Sequence, residues 1–175
     1  MLVQILESRR RVPGVEHPDT LMAMHDLALT YNQQGQMEEA EQLYLQILEL
    51  RRRVFGVEHP DTLVTMNNLA ATYGQQGQTE EVEQSHLLIL ESMTRVLGAE
   101  HLHTLTTMQN LTLTYQQQGH MEEAEQLQLQ ILELRMRVLG VEHPDTLMTV
   151  NNLVWTYNQQ GQMEEAEQLY LQVLE

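Results

Sequence analysis

One phrase governs the chain. HPDTLxxMxxLAxTYxxQGQxEEAE runs from His17 to Glu41 and returns at His59, His101 and His143, each 42 residues after the last. Repetition at a fixed period of this size specifies an array of stacked supersecondary units, since one such unit cannot bury its own apolar face. The expectation is therefore a single solenoid over residues 1–175 in place of an ordinary globular domain. Residues 1–16 read as the second half of one unit, 17–58, 59–100 and 101–142 as whole units, and 143–175 as a truncated fourth.

The opening MLVQILESRRRVPGVE aligns with Leu43 to Glu58, and the closing LYLQVLE covers the same unit positions as MLVQILE. Solenoids usually end in polar capping repeats, so the chain is expected to be a piece of a longer array.

Each unit reads as two helices. Pro18 suits a first helical position, where its missing N–H is no loss, and Asp19 suits the positive end of the helix dipole. Leu21, Met24, Leu27, Ala28 and Tyr31 follow at spacings of three and four, the period of one helical face. Gly35 ends this helix A, at a point where a left-handed conformation is cheap only for glycine. Helix B is predicted to begin near Gln36 or Met37, with Ala40, Leu43, Ile47, Leu48 and Val54 as its apolar stripe and Gly56 closing it. Glu38, Glu39 and Glu41 sit in its first turns and Arg51, Arg52 and Arg53 in its last, the signs the dipole prefers. Both runs read as a solvated face. Ala28 and Ala40 are small enough to let A and B approach closely, and the tyrosine at Tyr31, Tyr73, Tyr115 and Tyr157 reads as core.

Composition narrows the function. Twenty-five acids stand against nine bases, all arginine, for a net charge of −16. That balance disfavours DNA, RNA and anionic membranes, and leaves a neutral or basic protein segment as the easier partner. Cysteine is absent, which removes disulfides and thiolate metal sites. No apolar run approaches a membrane span and no signal-like segment follows Met1, so a soluble, cytoplasmic protein is expected. His17, His59, His101 and His143 are one repeat apart, roughly 8–10 Å by helix packing, too far to share an ion. His101 and His103 lack an evident third ligand. These histidines read as turn residues, with no metal, no cofactor and no catalytic cluster expected.

Met24, Leu27, Ala28, Tyr31, Gly35, Ala40, Tyr44 and Ile47 stand at the relative spacings of the tetratricopeptide repeat signature, which the chain resembles over essentially its whole length. The longer unit, with helix B running through LRRRVFG into EHPDT, resembles the repeats of kinesin light chains. It is similar also to the repeat tails of fungal and bacterial signalling NTPases of the NACHT or NB-ARC type. The resemblance implies an all-α, right-handed superhelical solenoid of helix-turn-helix repeats with a concave groove lined by A helices.

On that implication, the partner-binding positions are His25, Asp26, Leu29 and Asn32 in the first unit, and Asn67, Asn68 and Ala71 in the second. Gln109, Asn110 and Leu113 follow in the third, and Asn151, Asn152 and Trp155 in the fourth. Their chemistry is mostly amide, suited to pairing with the backbone of an extended peptide. Some of these amides are equally suited to fixing the spacing of neighbouring A helices. No lysine or arginine stands among the groove-facing positions, which argues against a carboxylate clamp. Trp155 reads either as a binding anchor or as packing for a following helix.

The third unit departs most, with His101-Leu102-His103 in place of His-Pro-Asp. Just before it, Thr79, Val82 and Ser85-His86 replace Met37, Ala40 and Leu43-Tyr44, so the second helix B is expected to pack worst. The first function expected is a non-catalytic protein–protein interaction scaffold. The alternative is a structural or oligomerisation element whose open ends (Leu2, Ile5 and Leu6 at one, Leu169, Val173 and Leu174 at the other) self-associate into a homo-oligomer.

Overall fold

The computed structural model describes residues 14–77 and 79–174, with 79–81 and 172–174 as backbone only. The opening half-unit and most of the two expected sticky ends therefore lie outside the described residues. Two compact units are present, Met1–Val96 and Leu97–Glu175.

Among the described residues of the first unit the helices are α1 (Pro18–Gln33), α2 (Met37–Phe55), α3 (Pro60–Gln75) and α4 (Thr79–Leu97, whose last residue falls in the second unit). The second unit holds α5 (Leu102–Gln118), α6 (Met121–Leu139), α7 (Pro144–Gln160) and α8 (Met163–Leu174). Odd-numbered helices are the A helices of the sequence and even-numbered ones the B helices.

Histidine starts every A helix. Nδ1 of His17, His59, His101 and His143 accepts the backbone N–H two residues on, at 3.1–3.2 Å, which satisfies one of the donors a helix start leaves open. The phrase His-Pro-Asp is thus a cap, a first-position proline and a dipole-matched acid. α5 keeps only the cap, because Leu102 and His103 replace the proline and the acid, and it begins at the same unit position nonetheless.

Gly35 has φ 77°, and the Gln36 N–H reaches the Tyr31 carbonyl at 2.9 Å, closing α1 in a six-to-one hydrogen bond before α2 starts at Met37. The B-to-A turn is different. Gly56 and Gly140 have φ near 90° with ψ 168° and 166°, a region open essentially to glycine alone. The carbonyl of each accepts a threonine hydroxyl from the next A helix, Thr62 at 2.9 Å and Thr146 at 2.8 Å.

In the first unit Leu21, Met24, Leu27 and Ala28 of α1 pack on Ala40, Leu43, Tyr44, Ile47 and Leu48 of α2, with both alanines at 0% exposure. α3 and α4 share a second cluster of Leu63, Ala70, Ile89 and Met93. In the other unit Val150, Leu153, Val154 and Tyr157 of α7 gather with Leu132 and Ala166. The repeated tyrosine is only half-buried at Tyr31, Tyr73 and Tyr115 and is covered at Tyr157.

Two sequence expectations are corrected. Val54 is 40% exposed and leaves the stripe, its place taken by Tyr44 and Arg51. Arg51 and its equivalent two repeats later, Arg135, are not on a solvated face: they are 6% and 2% exposed. Both continue the phase of the buried stripe, four residues past Ile47 and Ile131. In the second helix B, Val82, His86 and Met93 are at most 2% exposed, while Leu87 and Leu88 are 43% and 66% exposed.

Candidate partner-binding groove

A helix A face becomes a surface only if something holds neighbouring A helices at a fixed spacing. In the first unit Asn32 Nδ2 donates to Thr72 Oγ1 at 2.8 Å, and Asn68 Nδ2 meets His25 Nε2 at 3.1 Å, both between α1 and α3. His25 also lies edge-on to the Tyr44 ring, with centroids 5.7 Å apart. Burial pushes the Tyr44 phenol up to about 12, against the pull of Asn68. Two of the expected groove amides therefore spend their bonds on helix spacing.

The second unit repeats the bridge with different residues. Gln116 Nε2 of α5 donates to Thr156 Oγ1 of α7 at 3.0 Å, and that hydroxyl lies 2.8 Å from Gln128 Oε1 of α6. One polar chain thus ties both A helices to the helix B behind them.

Beneath each pair of A helices runs a buried guanidinium. Arg51 Nη1 donates to the Asp61 carbonyl and to Thr65 Oγ1, both at 2.7 Å. Arg135 Nη1 does the same to the Asp145 carbonyl at 3.0 Å and Thr149 Oγ1 at 2.6 Å. Burial pulls both guanidinium groups down from their ordinary range, and the carboxylates Asp61 and Asp26 on Arg51, or Asp145 on Arg135, push back. Arg135 makes one bond more: Nη2 donates to Gln109 Oε1 of α5 at 3.0 Å. It therefore joins both A helices of its unit.

Around Arg135 the second unit forms a narrow slot of about 10 Å³, room for about one water, lined by Gln109, Thr112, Leu113, Gln116, Gln128, Ile131, Arg135, Thr149 and Asn152. Three of the expected groove residues, Gln109, Leu113 and Asn152, meet there. The helix A positions hold no lysine or arginine, and the arginine that lines the slot, Arg135, reaches it from helix B. Sequence reasoning looked only at helix A faces, and the phase of Arg135 on the α6 stripe was the signal that would have found it.

The remaining expected residues fall elsewhere. Asn67 is 3% exposed and its backbone bonds to His86, so its side chain is not offered to a partner. Leu29, Ala71 and Asn110 are half-buried and Asp26 is exposed. Asn151 accepts from the Tyr170 hydroxyl at 3.2 Å. Leu113 and Trp155 stand at one unit position on successive A helices and are 49% and 46% exposed.

Helices in A–B pairs, with a histidine cap at the start of each A helix among the described residues, define an all-α repeat solenoid. The chain belongs to the tetratricopeptide repeat family, whose profile matches residues 1–46, 23–90, 83–136 and 113–175. Among solved structures it is similar to the nearly identical TPR-like repeats of a putative kinesin light chain from Podosopora anserina. That likeness has 30% identity and a TM-score of 0.74, over 98% of this chain and 82% of that one. BtubC (BKLC) from P. vanneervenii shares the fold at 21% identity and TM-score 0.81, over 98% of this chain and 68% of that one. The apo form of RapI shares it at 15% identity and TM-score 0.77, over 97% and 60%. Comparison with curated proteins finds no match. The chain is a kinesin-light-chain-like repeat protein of the kind that serves as a protein–protein interaction scaffold. Among the described residues no helix is long and apolar enough to cross a membrane.

Proposed function

We propose that the second unit binds an extended peptide segment of a protein partner, without catalysis, along the face shared by α5 and α7. The observation that carries this reading is the slot itself. Side chains that would otherwise pack or solvate independently are gathered by Arg135 and the Gln116–Thr156–Gln128 chain into one lining. Amides supply both donors and acceptors, which suits a peptide backbone regardless of its sequence. Leu113 and Trp155 flank the amides as exposed apolar groups of the kind that anchor a partner's side chains. A net charge of −16 favours a neutral or basic segment over a strongly acidic one.

The test is peptide binding by fluorescence anisotropy to the wild type and to a variant carrying Leu113→Ser, Asn152→Ala and Trp155→Ser. These exposed or half-buried positions should leave helicity and the urea midpoint unchanged while binding falls at least about tenfold, each lost anchor being worth about 1 kcal/mol or more. Equal affinity in the two proteins would remove the groove from consideration.

A further inference from the structure

Arg135 decides which way Gln109 faces the slot. A guanidinium has five donors and no acceptor, so the group that Gln109 places 3.0 Å from Nη2 must be its carbonyl oxygen Oε1. That assignment follows from chemistry and does not depend on telling amide oxygen from nitrogen. With Oε1 committed, the Nε2 amine is the half of the side chain left for the slot. Arg135 is itself 2% exposed and held on its other side by Asp145 and Thr149, so it has no freedom to release the amide.

At the other end of the slot the polarity is reversed. Gln116 commits its Nε2 amine to Thr156, which leaves its carbonyl oxygen as the acceptor. The two glutamines are seven residues apart on α5, two helical turns and roughly 10 Å along the axis. Neither orientation is a property of glutamine. That of Gln109 is imposed by the buried guanidinium on α6, and that of Gln116 goes with the Thr156 hydroxyl, which accepts from it while donating to Gln128 Oε1.

We infer that Arg135 is a positioning residue that fixes an adaptable amide as a hydrogen-bond donor at Gln109, opposite the acceptor that Gln116 presents through its own bond to Thr156. The ligand it selects is a peptide segment presenting a backbone carbonyl oxygen at the Gln109 end and an N–H at the Gln116 end. This rests on the peptide-binding reading of the same slot and adds the orientation of the bound chain. The first unit has no such device at this position, since His25 replaces Gln109 and is bonded to Asn68.

The experiment uses the full chain and peptides selected on it from a displayed library of random sequences. Gln109→Glu keeps an oxygen for Arg135, now as a charge-assisted bond, but removes the donor from the slot. The urea midpoint should hold or rise while affinity for the selected peptides falls about tenfold or more, the loss expected of an unmade hydrogen bond at a desolvated site. Arg135→Met, which introduces the residue found at Met93, frees the Gln109 amide to turn, and should weaken binding less than Gln109→Glu does. Peptides that bind Gln109→Glu as well as the wild type overturn the inference and leave the groove reading standing. Selected peptides rich in Asp or Glu, sensitive to Arg135→Met and not to Gln109→Glu, also overturn it, because the guanidinium would then be the contact. A library yielding no binder at all defeats both readings.

Discussion

Arg135 of α6 and Thr149 of α7 are joined by a hydrogen bond of 2.6 Å between two side chains that are each 2% exposed. Arg51 and Thr65 make the same bond at 2.7 Å two repeats earlier. Burying a cation is costly unless its donors are met, and with Nε of Arg51 and of Arg135 buried without a partner, the threonine acceptor at Nη1 is a structural requirement of the arginine.

That requirement is measurable. Thr149→Val keeps the shape and removes the acceptor, leaving a buried guanidinium N–H without it, and should cost about 2 kcal/mol. Adding Arg135→Met to Thr149→Val removes the demand along with the supply and should recover most of the loss. Urea midpoints of the two single variants and the double variant report the coupling. Additive losses would show that the pair is incidental.

His86 makes the first unit sensitive to acid. Its ring is 1% exposed, and burial lowers it from 6.5 to about 4 against the opposing pull of a bond to the Asn67 backbone. Folding therefore favours the neutral ring: its contribution is complete above pH 6.5 and is lost as pH falls from 6.5 through about 4. The loss amounts to as much as about 3 kcal/mol. His86→Tyr, the residue at Tyr44 and Tyr170 of this unit position, removes the ring without emptying the site. Denaturation of the two proteins between pH 7 and 4 should show the wild type losing stability that the variant keeps. Parallel curves would contradict the assignment.

The cap at α5 stands without help. His101 Nδ1 accepts from His103 N at 3.2 Å, while the other A helices also have Pro18, Pro60 or Pro144 in their first turn. His101→Ala should cost about 1 kcal/mol and speed hydrogen exchange at the first amides of α5. His59→Ala is expected to do less at α3, whose start Pro60 already pre-organises.

Gly140 offers a clean backbone test. A Cβ placed there meets nothing within 4 Å, yet φ is 89° and ψ 166°. Gly140→Ala thus adds no clash, and its expected cost of about 1–3 kcal/mol is conformational strain alone. A midpoint equal to the wild type's would mean that the turn relaxes to another conformation.

Much of this was legible in the residues because it is local. Pro18, the Leu21–Met24–Leu27–Ala28 spacing and Gly35 mark α1 through rules that act within a few residues, and α1 ends and α2 begins where they indicate. The alanines at 28 and 40 were legible for the same reason, their size being a statement about close approach. Arg51, Arg135 and His86 were not read as core, because polar side chains are ordinarily outside and the partners that make them acceptable lie on other helices. Thr65 is on the next A helix, and Asn67 beside His86 is on α3.

The sequence by itself determined the family and the helix boundaries, since the repeat period, the apolar phase and the turn chemistry are properties of adjacent residues. Only the tertiary structure decided that the slot has an arginine in its floor, that Asn32 and Asn68 fasten helices, and that the Gln109 carbonyl oxygen is held by Arg135. Each of these depends on which groups from three different helices come within hydrogen-bonding distance. A buried polar group must take whatever bond its packing neighbours allow, so its orientation is fixed by the assembled repeats and not by its own place in the chain.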